Sequence, residues 1–308
     1  MNGNSDSAPG VPRCAHVLGV ALAEPADRRD DVRLEELAQD VARAGLDDAG
    51  LRRDQLDSVV LGASDELDGR PISSMLMTAP AGGYLLDEIR VTGSGAVALA
   101  LAVARLLSGD FDLTLVSSWC KPSKTDVATV ANSRWEPFYH RDIGLDDDSA
   151  EGLFAQAVLD RYRIPGGEPT ERAVAARTRA AANPRGLSRP ARSAADIDSS
   201  EYLSTPVRSG HRAECSDGAA CVVLASDRWM AAHPERRAKA RISGVGWSTD
   251  SYRLGRGRLG ALQSARSAWA SALTMAGDDR PVGVVELETP TIFHEAALER
   301  ALPLDGVA

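Results

Sequence analysis

One turn of this chain is placed to present a reactive side chain. Its sequence, Val91-Thr92-Gly93-Ser94-Gly95-Ala96, closes a predicted β-strand and opens a predicted helix. The residue at the head of the turn is Thr92, and a threonine hydroxyl attacks a carbonyl carbon only when a strong adjacent base takes its proton. Covalent chemistry at this position would therefore require a base from another part of the fold.

The rest of the turn has two further interpretations. Ser94 is suited to cap the helix that begins near Ala96, since serine is a favoured N-cap residue. The Gly93-Ser94-Gly95 segment also resembles part of a phosphate-binding loop. It lacks the further glycine of a dinucleotide fingerprint and the Gly-Lys-Ser/Thr of a P-loop. Nucleotide binding at this turn is therefore not expected.

Hydrophobic periodicity predicts the elements that hold the turn. Residues 33–49 form an amphipathic helix with apolar positions at i, i+3, i+4 and i+7 from Leu34, and Gly50 is suited to a left-handed C-cap. The next elements are a turn with a buried strand, a helix and a strand, at residues 54–62, 96–109 and 111–116. Residues 13 to about 119 are therefore expected to form an α/β layer around a central sheet.

The remainder divides into a helical insertion and a second α/β pattern. Residues 120–212 are helical and loop-like, with helices near 149–163 and 168–182, and a strand at 221–225 returns to the core. A linker at 227–240 follows. It leads into a strand, a helix, a strand and a helix, at residues 241–247, 261–275, 282–287 and 292–302.

Composition and charge exclude several classes of protein. The 308 residues are 44% hydrophobic and 26% charged, which is typical of one or two globular domains. The net charge of -9, from 35 basic and 44 acidic residues, argues against a nucleic-acid surface. No apolar run reaches the ~18 residues of a membrane span. Residues 1–12 are polar and lack the apolar centre of a signal peptide, so we expect a cytoplasmic protein with a disordered tail there.

The cysteines indicate neither a zinc site nor a disulfide framework. No CxxC pair is found among Cys14, Cys120, Cys215 and Cys221. Cys221, at the start of an apolar strand, is expected to be a buried, inert thiol. Cys120 precedes Lys121, whose charge could lower the pKa of the thiol. The alternative for Cys120 is a strand-end cysteine without a chemical role.

Five stretches of the chain, in order, resemble the thiolase superfamily. They are residues 48–51 at the end of the first helix, the strand at 57–62, the turn at 92–95, the segment 215–220, and residues 284–287. The sequence is most similar to the actinobacterial acetyl-CoA acetyltransferase and lipid-transfer-protein branch, which is related to the thiolase part of sterol carrier protein x. The segment 136–145 and Asn183-Pro184-Arg185 also match the loop region of that branch, so the resemblance covers nearly the whole chain.

The resemblance implies a layered α/β/α/β/α fold built from two similar halves. The first half would span residues 13–226, including the loop region 120–212, and the second would span residues 241–308. Members of that branch continue past the equivalent of Leu304 with further strands and the final catalytic loops. The second half is therefore expected to be incomplete here.

The resemblance also implies the site residues. The nucleophilic cysteine of the family maps onto Thr92, with Ser94 and Gly95 retained as substrate-binding positions. The histidine of a later catalytic loop maps onto Glu288, whereas His294 lies on the following helix and does not carry over. The family's Gly-His-Pro loop and second cysteine would lie beyond the last residue. Conventional thiolase chemistry at Thr92 is therefore not expected.

Several other candidate residues have two interpretations each. Glu288 is either a general base near a substrate or an exposed loop carboxylate. Trp135, Phe138 and Tyr139 are substrate-binding candidates that either line an acyl or sterol channel or pack the loop region onto the core. Two loop histidines beside arginines are either contacts for a CoA phosphate or solvated side chains: His140 and His211.

Three functions are compatible with these residues. The first is a thiolase-like subunit without the nucleophilic cysteine, in a heteromeric complex acting on acyl-CoA or related thioesters in lipid, steroid or polyketide-type metabolism. The second is a CoA-ester carbon–carbon lyase, a retro-aldolase, with an OB-fold partner. The third is an acyltransferase completed by another chain. No metal and no cofactor is expected in any of them, and coenzyme A enters only as the thioester substrate.

The resemblance implies a thiolase-like homodimer or heterodimer, and a physical argument also favours a partner chain. An unfinished second sheet leaves edge N–H and C=O groups and an apolar face uncovered, and a partner chain would cover both.

Overall fold

A six-stranded mixed β-sheet forms the centre of the protein. The computed structural model describes residues 14–69, 73–187, 189–255, 257–277 and 281–304. In chain order the strands are β1 (Ala15–Leu22), β2 (Ser58–Gly62), β3 (Asp87–Val91), β4 (Leu113–Cys120), β5 (Tyr202–Ser204), β6 (Val207–Arg208), β7 (Gly218–Ser226) and β8 (Ala240–Ile242). The order in the sheet is β3-β2-β4-β7-β1-β8, and β5 pairs with β6 separately.

The sheet is parallel on one side and antiparallel on the other. β3 and β4 flank β2 in parallel, whereas β7 runs antiparallel to both β4 and β1, and β8 runs antiparallel to β1. All five residues of β2 are buried, as expected for a parallel strand covered on both faces. We call the end at which Gly62, Val91 and Cys120 lie the carboxyl end of the sheet.

Helices surround the sheet, and several of them belong to the chain segment that connects β4 to β7. In chain order they are α1 (Leu34–Ala49), α2 (Asp65–Asp68), α3 (Ser73–Met77), α4 (Gly95–Ser108), α5 (Val127–Ser133), α6 (Asp147–Tyr162), α7 (Glu168–Ala182), α8 (Ala194–Asp198), α9 (Asp227–Ala232), α10 (Gln263–Ala276) and α11 (Ile292–Ala301). Within the described ranges, none of them combines the length and the apolar character needed to cross a membrane.

α1 and α4 cover opposite faces of the sheet. Successive strand residues point to opposite faces, and β4 shows this directly: Leu115 packs in the cluster that contains α1, and Val116 packs in the cluster that contains α4. The predicted helix at 33–49 is confirmed, and its C-cap Gly50 has the predicted left-handed conformation with φ 63°.

Two glycines let α1 approach the sheet closely. A Cβ on Gly19 of β1 would lie 2.3 Å from the backbone oxygen of Gly45 on α1, and a Cβ on Gly45 would lie 2.7 Å from the Cys221 sulfur on β7. Both distances are shorter than non-bonded atoms allow. Glycine at these two positions therefore sets the distance between helix and strand.

The inserted region forms a core of its own with the last helix. Ala155 of α6, Ala173 of α7, Ile197 of α8 and Phe293 of α11 are buried against one another. The helices predicted near 149–163 and 168–182 correspond to α6 and α7. Because α11 comes from the second α/β pattern, this core ties that pattern to the insertion.

The second α/β pattern differs from the prediction. Of the strand predicted at 241–247, only the start pairs, as β8 against β1. Gly244 and Gly246 instead lie against α10, where a Cβ on Gly244 would be 2.0 Å from the Ala272 oxygen. Residues 282–287, predicted as a strand, form none. A β-prone segment forms a strand only where a neighbour offers backbone groups to pair with.

Three further predictions concern a strand, a linker and the N-terminal tail. The strand predicted at 111–116 continues to Cys120, because its pairing with β7 extends to Gly218. α9 occupies the start of the predicted linker at 227–240. The disordered tail predicted for residues 1–12 lies outside the described residues.

Replacing Gly19 with alanine is expected to destabilise the protein by about 1–3 kcal/mol, because the added methyl meets backbone of α1 that cannot retreat without opening the core. Chemical denaturation followed by circular dichroism measures the change. Gly166→Ala is the matched control, since nothing lies within 4 Å of a Cβ there, and no destabilisation is expected. Equal stabilities for the two variants would contradict the close packing of α1 on β1.

Candidate functional site

The turn that contains Thr92 lies at the carboxyl end of the sheet. Thr92 follows the last residue of β3, and Ser94 is the N-cap of α4, as predicted. The Ser94 hydroxyl makes no capping hydrogen bond, however, and both Thr92 and Ser94 are exposed. The hydroxyls at this helix N-terminus are thus open to an incoming molecule.

Glycines fix the position of this turn against the neighbouring strands. A Cβ on Gly95 would lie 3.0 Å from both the Cβ and the Oγ of Ser118, and a Cβ on Gly62 would lie 2.9 Å from the Ala98 methyl. The Ser118 hydroxyl donates a hydrogen bond to the Gly62 oxygen at 2.7 Å. Gly95 therefore has a packing role that is sufficient to explain a glycine there, and its predicted role in substrate binding stays a prediction.

The surroundings of the Thr92 hydroxyl bear on its reactivity. No side chain of the described residues forms a hydrogen bond with its hydroxyl, and Glu288 is exposed on the extended segment that precedes α11. No hydrogen bond or ion pair of the described residues joins Glu288 to the turn. Without a base, the threonine hydroxyl keeps its proton and is a poor nucleophile.

The three aromatic residues of the loop region differ in exposure and in the rings that they contact. Phe138 is 81% exposed and Tyr139 is 50% exposed, whereas Trp135 packs edge-on against His140 with ring centroids 5.7 Å apart. Tyr139 lies against Tyr252, with ring centroids 5.5 Å apart. The predicted role of these three residues in substrate binding stays a prediction.

A buried polar network lies beside the turn. The Trp119 indole donates to Asp68 at 3.0 Å. The Arg90 guanidinium, two residues before Thr92, lies 2.7 Å from Asp65 and 3.6 Å from Asp68. These residues come from three separate segments of the chain, so their spacing in the sequence gave no signal. Together they neutralise a buried carboxylate and fix the loop that follows β2.

Cys120 is not activated by its neighbour. Burial, with the charges of Asp68 and Asp217, raises the pKa of its thiol to about 11. The Lys121 ammonium points elsewhere and donates to the Val32 oxygen at 2.6 Å. The interpretation of Lys121 as an activator is therefore wrong. Cys221 is buried as predicted, and burial raises the pKa of its thiol to about 12.

Both loop histidines are buried, so the interpretation of solvated side chains is wrong. His140 and His211 are each 6% exposed. The His211 Nδ1 accepts a hydrogen bond from the Arg208 backbone N–H at 3.2 Å, and burial lowers the pKa of its ring. His211 packs edge-on against Phe293. No signal in the sequence indicated the burial of His211, because the helix that packs against it, α11, lies far along the chain.

A further polar group lies between α6 and α11, where Thr291 is buried and the side chains of Glu151 and His294 are about one fifth exposed. The Thr291 hydroxyl lies 3.0 Å from His294 Nδ1 and also hydrogen-bonds Glu151, and burial raises the pKa of that carboxyl to about 7. Burial lowers the pKa of His294 to about 4. At 3.7 Å from Glu151 Oε2, the imidazole is therefore neutral near pH 7, and the pair is held by Thr291 rather than by opposite charges.

Two cavities of the described structure are lined by residues other than Thr92. A cavity of about 230 Å³ is bordered by Arg177, His211 and Thr291, among others, and Arg177 is paired with Glu214 at 2.8 Å. A larger cleft of about 860 Å³ borders the ends of β1 and β7 near Arg185. Neither is lined by the residues to which the resemblance assigns the site, from the Thr92 turn to Glu288.

Comparison with known proteins identifies solved structures with a similar fold. No protein-family model matches this sequence, and no curated protein matches it. Among solved structures, the Ltp2-ChsH2(DUF35) aldolase has a TM-score of 0.75 and 18% identity, over 94% of this chain and 77% of that one. Human mitochondrial 3-ketoacyl-CoA thiolase in complex with CoA has a TM-score of 0.73 and 16% identity, over 95% and 83%. A second structure of that thiolase has a TM-score of 0.70 and 16% identity, over 96% and 85%.

This chain has a thiolase-like fold. The predicted α/β class is thereby confirmed, with the six-stranded sheet and its flanking helices as the shared architecture. At these identities the likeness concerns the fold. In this thiolase-like fold the assignments of Thr92, Ser94, Gly95 and Glu288 stay predictions.

Replacing Thr92 with cysteine is expected to create a thiol that reacts readily with iodoacetamide, because the side chain is exposed and lies at a helix N-terminus, which favours the thiolate. Peptide mass spectrometry after brief labelling measures the extent of reaction at each cysteine. Cys120, with its raised pKa, is the internal comparison, and Val97→Cys places an exposed thiol within α4. A thiol in Thr92→Cys that reacts no faster than Cys120 would contradict an exposed turn at this position.

Glu151→Gln is expected to increase stability above pH 7. The folded pKa is raised to about 7, above the unfolded value of about 4.3, so wild-type stability falls as pH rises through this range. The glutamine variant lacks that loss and should gain about 1–3 kcal/mol at pH 8. Denaturation midpoints between pH 4 and 8 measure it, with the exposed Glu171→Gln as control. Parallel pH profiles for wild type and Glu151→Gln would contradict a buried, neutral carboxyl.

Proposed function

We propose that this protein is a subunit that binds acyl-CoA or related thioesters and acts in a heteromeric complex, without conventional thiolase chemistry. The observation that carries the proposal is Thr92. A thiolase-like fold presents this exposed threonine at the helix N-terminus where the resemblance places a nucleophilic cysteine, and no side chain of the described residues forms a hydrogen bond with its hydroxyl.

The chemistry of position 92 argues against acyl transfer. Acyl transfer from CoA to the protein requires a nucleophile that is deprotonated near neutral pH, and cysteine at a helix N-terminus meets this condition. Threonine does not, unless a base is supplied. Glu288, which the resemblance places at the histidine position, is exposed, and no hydrogen bond or ion pair of the described residues joins it to the turn. The turn therefore fits binding of a thioester better than its covalent capture.

The carboxyl end of the sheet retains features that suit a thioester. The N-terminus of α4 directs backbone N–H groups and a positive dipole outward. A thioester carbonyl, or an oxyanion or enolate derived from it, would be stabilised there without a covalent bond to the protein. Lipid, steroid and polyketide-type metabolism supply thioesters of this class, and the expected cytoplasmic location belongs to the same proposal.

Edge strands and exposed apolar side chains support a partner chain. β3 and β8 form the two edges of the six-stranded sheet, and edge backbone groups favour pairing with another strand. Large apolar side chains are exposed on the outer part of the chain, among them Leu85, Ile143 and Trp247. A homodimer or a heterodimer would cover such surface. One structurally similar protein, the Ltp2-ChsH2(DUF35) aldolase, has a name that combines two components.

A retro-aldolase with an OB-fold partner is the second candidate function. The likeness in fold to an aldolase, with a TM-score of 0.75, favours it. A lyase of this kind cleaves a carbon–carbon bond beside the thioester and needs a base and an oxyanion site, but no acyl-accepting cysteine. An acyltransferase completed by another chain is the third candidate, and Thr92 argues against it.

Isothermal titration with acetyl-CoA and octanoyl-CoA tests the binding proposal. The protein is titrated alone and after co-expression and co-purification with the products of neighbouring genes, with free CoA as the reference ligand. Binding of the thioesters that is strengthened at least tenfold in the complex is expected. No binding of either thioester to the chain or to any complex would overturn the proposal.

Turnover by the same complex separates the three functions. Release of an aldehyde or ketone from a β-hydroxyacyl-CoA would establish the retro-aldolase. A mass increase at Thr92 after incubation with acetyl-CoA, lost in Thr92→Ala, would establish an acyltransferase and contradict our preference. Thioester binding that is unchanged in Thr92→Ala, without turnover of either kind, is the result expected for a binding subunit.

A further inference from the structure

Three side chains of types that commonly bind transition metals meet at the end of the sheet opposite Thr92. Cys14 directly precedes β1, His16 is the second residue of that strand, and Asp227 begins α9. The antiparallel register pairs Ala15 with Ser226, which brings Cys14 beside Asp227. Cys14 and His16 are two residues apart, so both project from the same face of the strand.

The three donor atoms form a small triangle. His16 Nε2 lies 2.8 Å from Asp227 Oδ1. Cys14 Sγ lies 3.2 Å from Asp227 Oδ1 and 3.4 Å from His16 Nε2. With the usual zinc bond lengths, the donor atoms of a tetrahedral site are roughly 3.3–3.6 Å apart. Each side of the triangle would need to lengthen by less than about 1 Å to hold an ion.

We propose that Cys14, His16 and Asp227 bind a Zn²⁺ ion, with a fourth position open to water or to a small ligand. A thiolate, an imidazole and a carboxylate form a donor set that suits Zn²⁺, whereas Mg²⁺ and Ca²⁺ require oxygen ligands. The thiolate and the carboxylate together balance the charge of the ion. When the metal binds, the proton of the Cys14 thiol is released to solvent.

The surroundings of the triangle hold the ligands in place and leave a way in. The Cys14 backbone N–H donates to Asp227 Oδ2 at 3.0 Å, which directs Oδ1 towards the other two donors. Cys14 is 3% exposed, whereas the His16 and Asp227 side chains are 18% and 45% exposed. An ion can therefore arrive from solvent on the side of His16 and Asp227. Burial, together with the hydrogen bond to Asp227, raises the pKa of the Cys14 thiol to about 11, and the Arg241 charge, opposite His16 on β8, opposes this shift only in part.

The site is independent of thioester binding. It lies at the amino end of β4 and at the end of β7, away from the Thr92 turn, and it would join the first strand to α9. The alternative is that the three side chains form a hydrogen-bonded group without a metal, in which Asp227 accepts from both the Cys14 thiol and the His16 ring. Metal titration separates the two.

Titration of the full chain with Co²⁺ tests the proposal. The protein is first treated with a chelator, freed of the chelator and of any affinity tag, and titrated with Co²⁺ and then with Zn²⁺. Binding of one equivalent of Co²⁺ is expected, with the near-ultraviolet charge-transfer band of a cobalt–thiolate bond, and Zn²⁺ should abolish that band. Competition with a chromophoric chelator gives the Zn²⁺ affinity.

Variants of the ligands and of a matched cysteine decide the outcome. Cys14→Ser should remove the charge-transfer band, and Asp227→Asn should weaken Zn²⁺ binding by about tenfold or more. Cys215→Ser changes an exposed cysteine elsewhere and should alter neither. Because Asp227 is partly exposed, its variant tests the site even if Cys14→Ser does not fold. Absence of the band, or binding that survives in Asp227→Asn and disappears in Cys215→Ser, would overturn the proposal.

Discussion

The antiparallel pairing of β4 with β7 is the interaction on which the rest of the structure depends. It runs without a break from Leu113 opposite Ala225 to Cys120 opposite Gly218. The pairing joins distant parts of the chain and closes the inserted region as one long loop. The entropy cost of closing a loop grows only slowly with its length, and burial of strand residues such as Leu115 offsets it. Each end of the sheet then gathers residues from segments that are remote in sequence.

At the carboxyl end, this arrangement gives the Thr92 turn its setting. Glycines at 62 and 95 bring α4 close to β2 and β4, and the Ser118 hydroxyl ties β4 to β2. The result is an exposed helix N-terminus with the Thr92 hydroxyl beside it. In the function proposed above, this helix N-terminus supplies the electrostatic part of a thioester site, and threonine does not supply the nucleophilic part. The two parts are physically separable, since the first depends on backbone and the second on one side chain and its base.

Local sequence patterns predicted the elements whose stability is local. The apolar stripe from Leu34, the glycine after α1 and the alanine-rich stretch of α4 describe faces and caps that require no knowledge of the partner. The same reasoning failed for residues 282–287, where the chain has strand-like composition but forms no strand, and for His211, which packs against Phe293 of α11. Glu151 was overlooked for the same reason, because its burial is caused by α11.

The sequence by itself determined the thiolase-like resemblance, the α/β class, and the identity of the residue at position 92, because these follow from short stretches and their order along the chain. Only the tertiary structure decided which polar groups meet. Cys14 and Asp227, 213 residues apart, lie within contact distance, whereas Glu288 is exposed, and no hydrogen bond or ion pair of the described residues joins it to Thr92. The physical reason is that helices and turns are stabilised by neighbours in sequence, whereas chemical sites are assembled by strand register and packing between segments whose separation in sequence carries no signal.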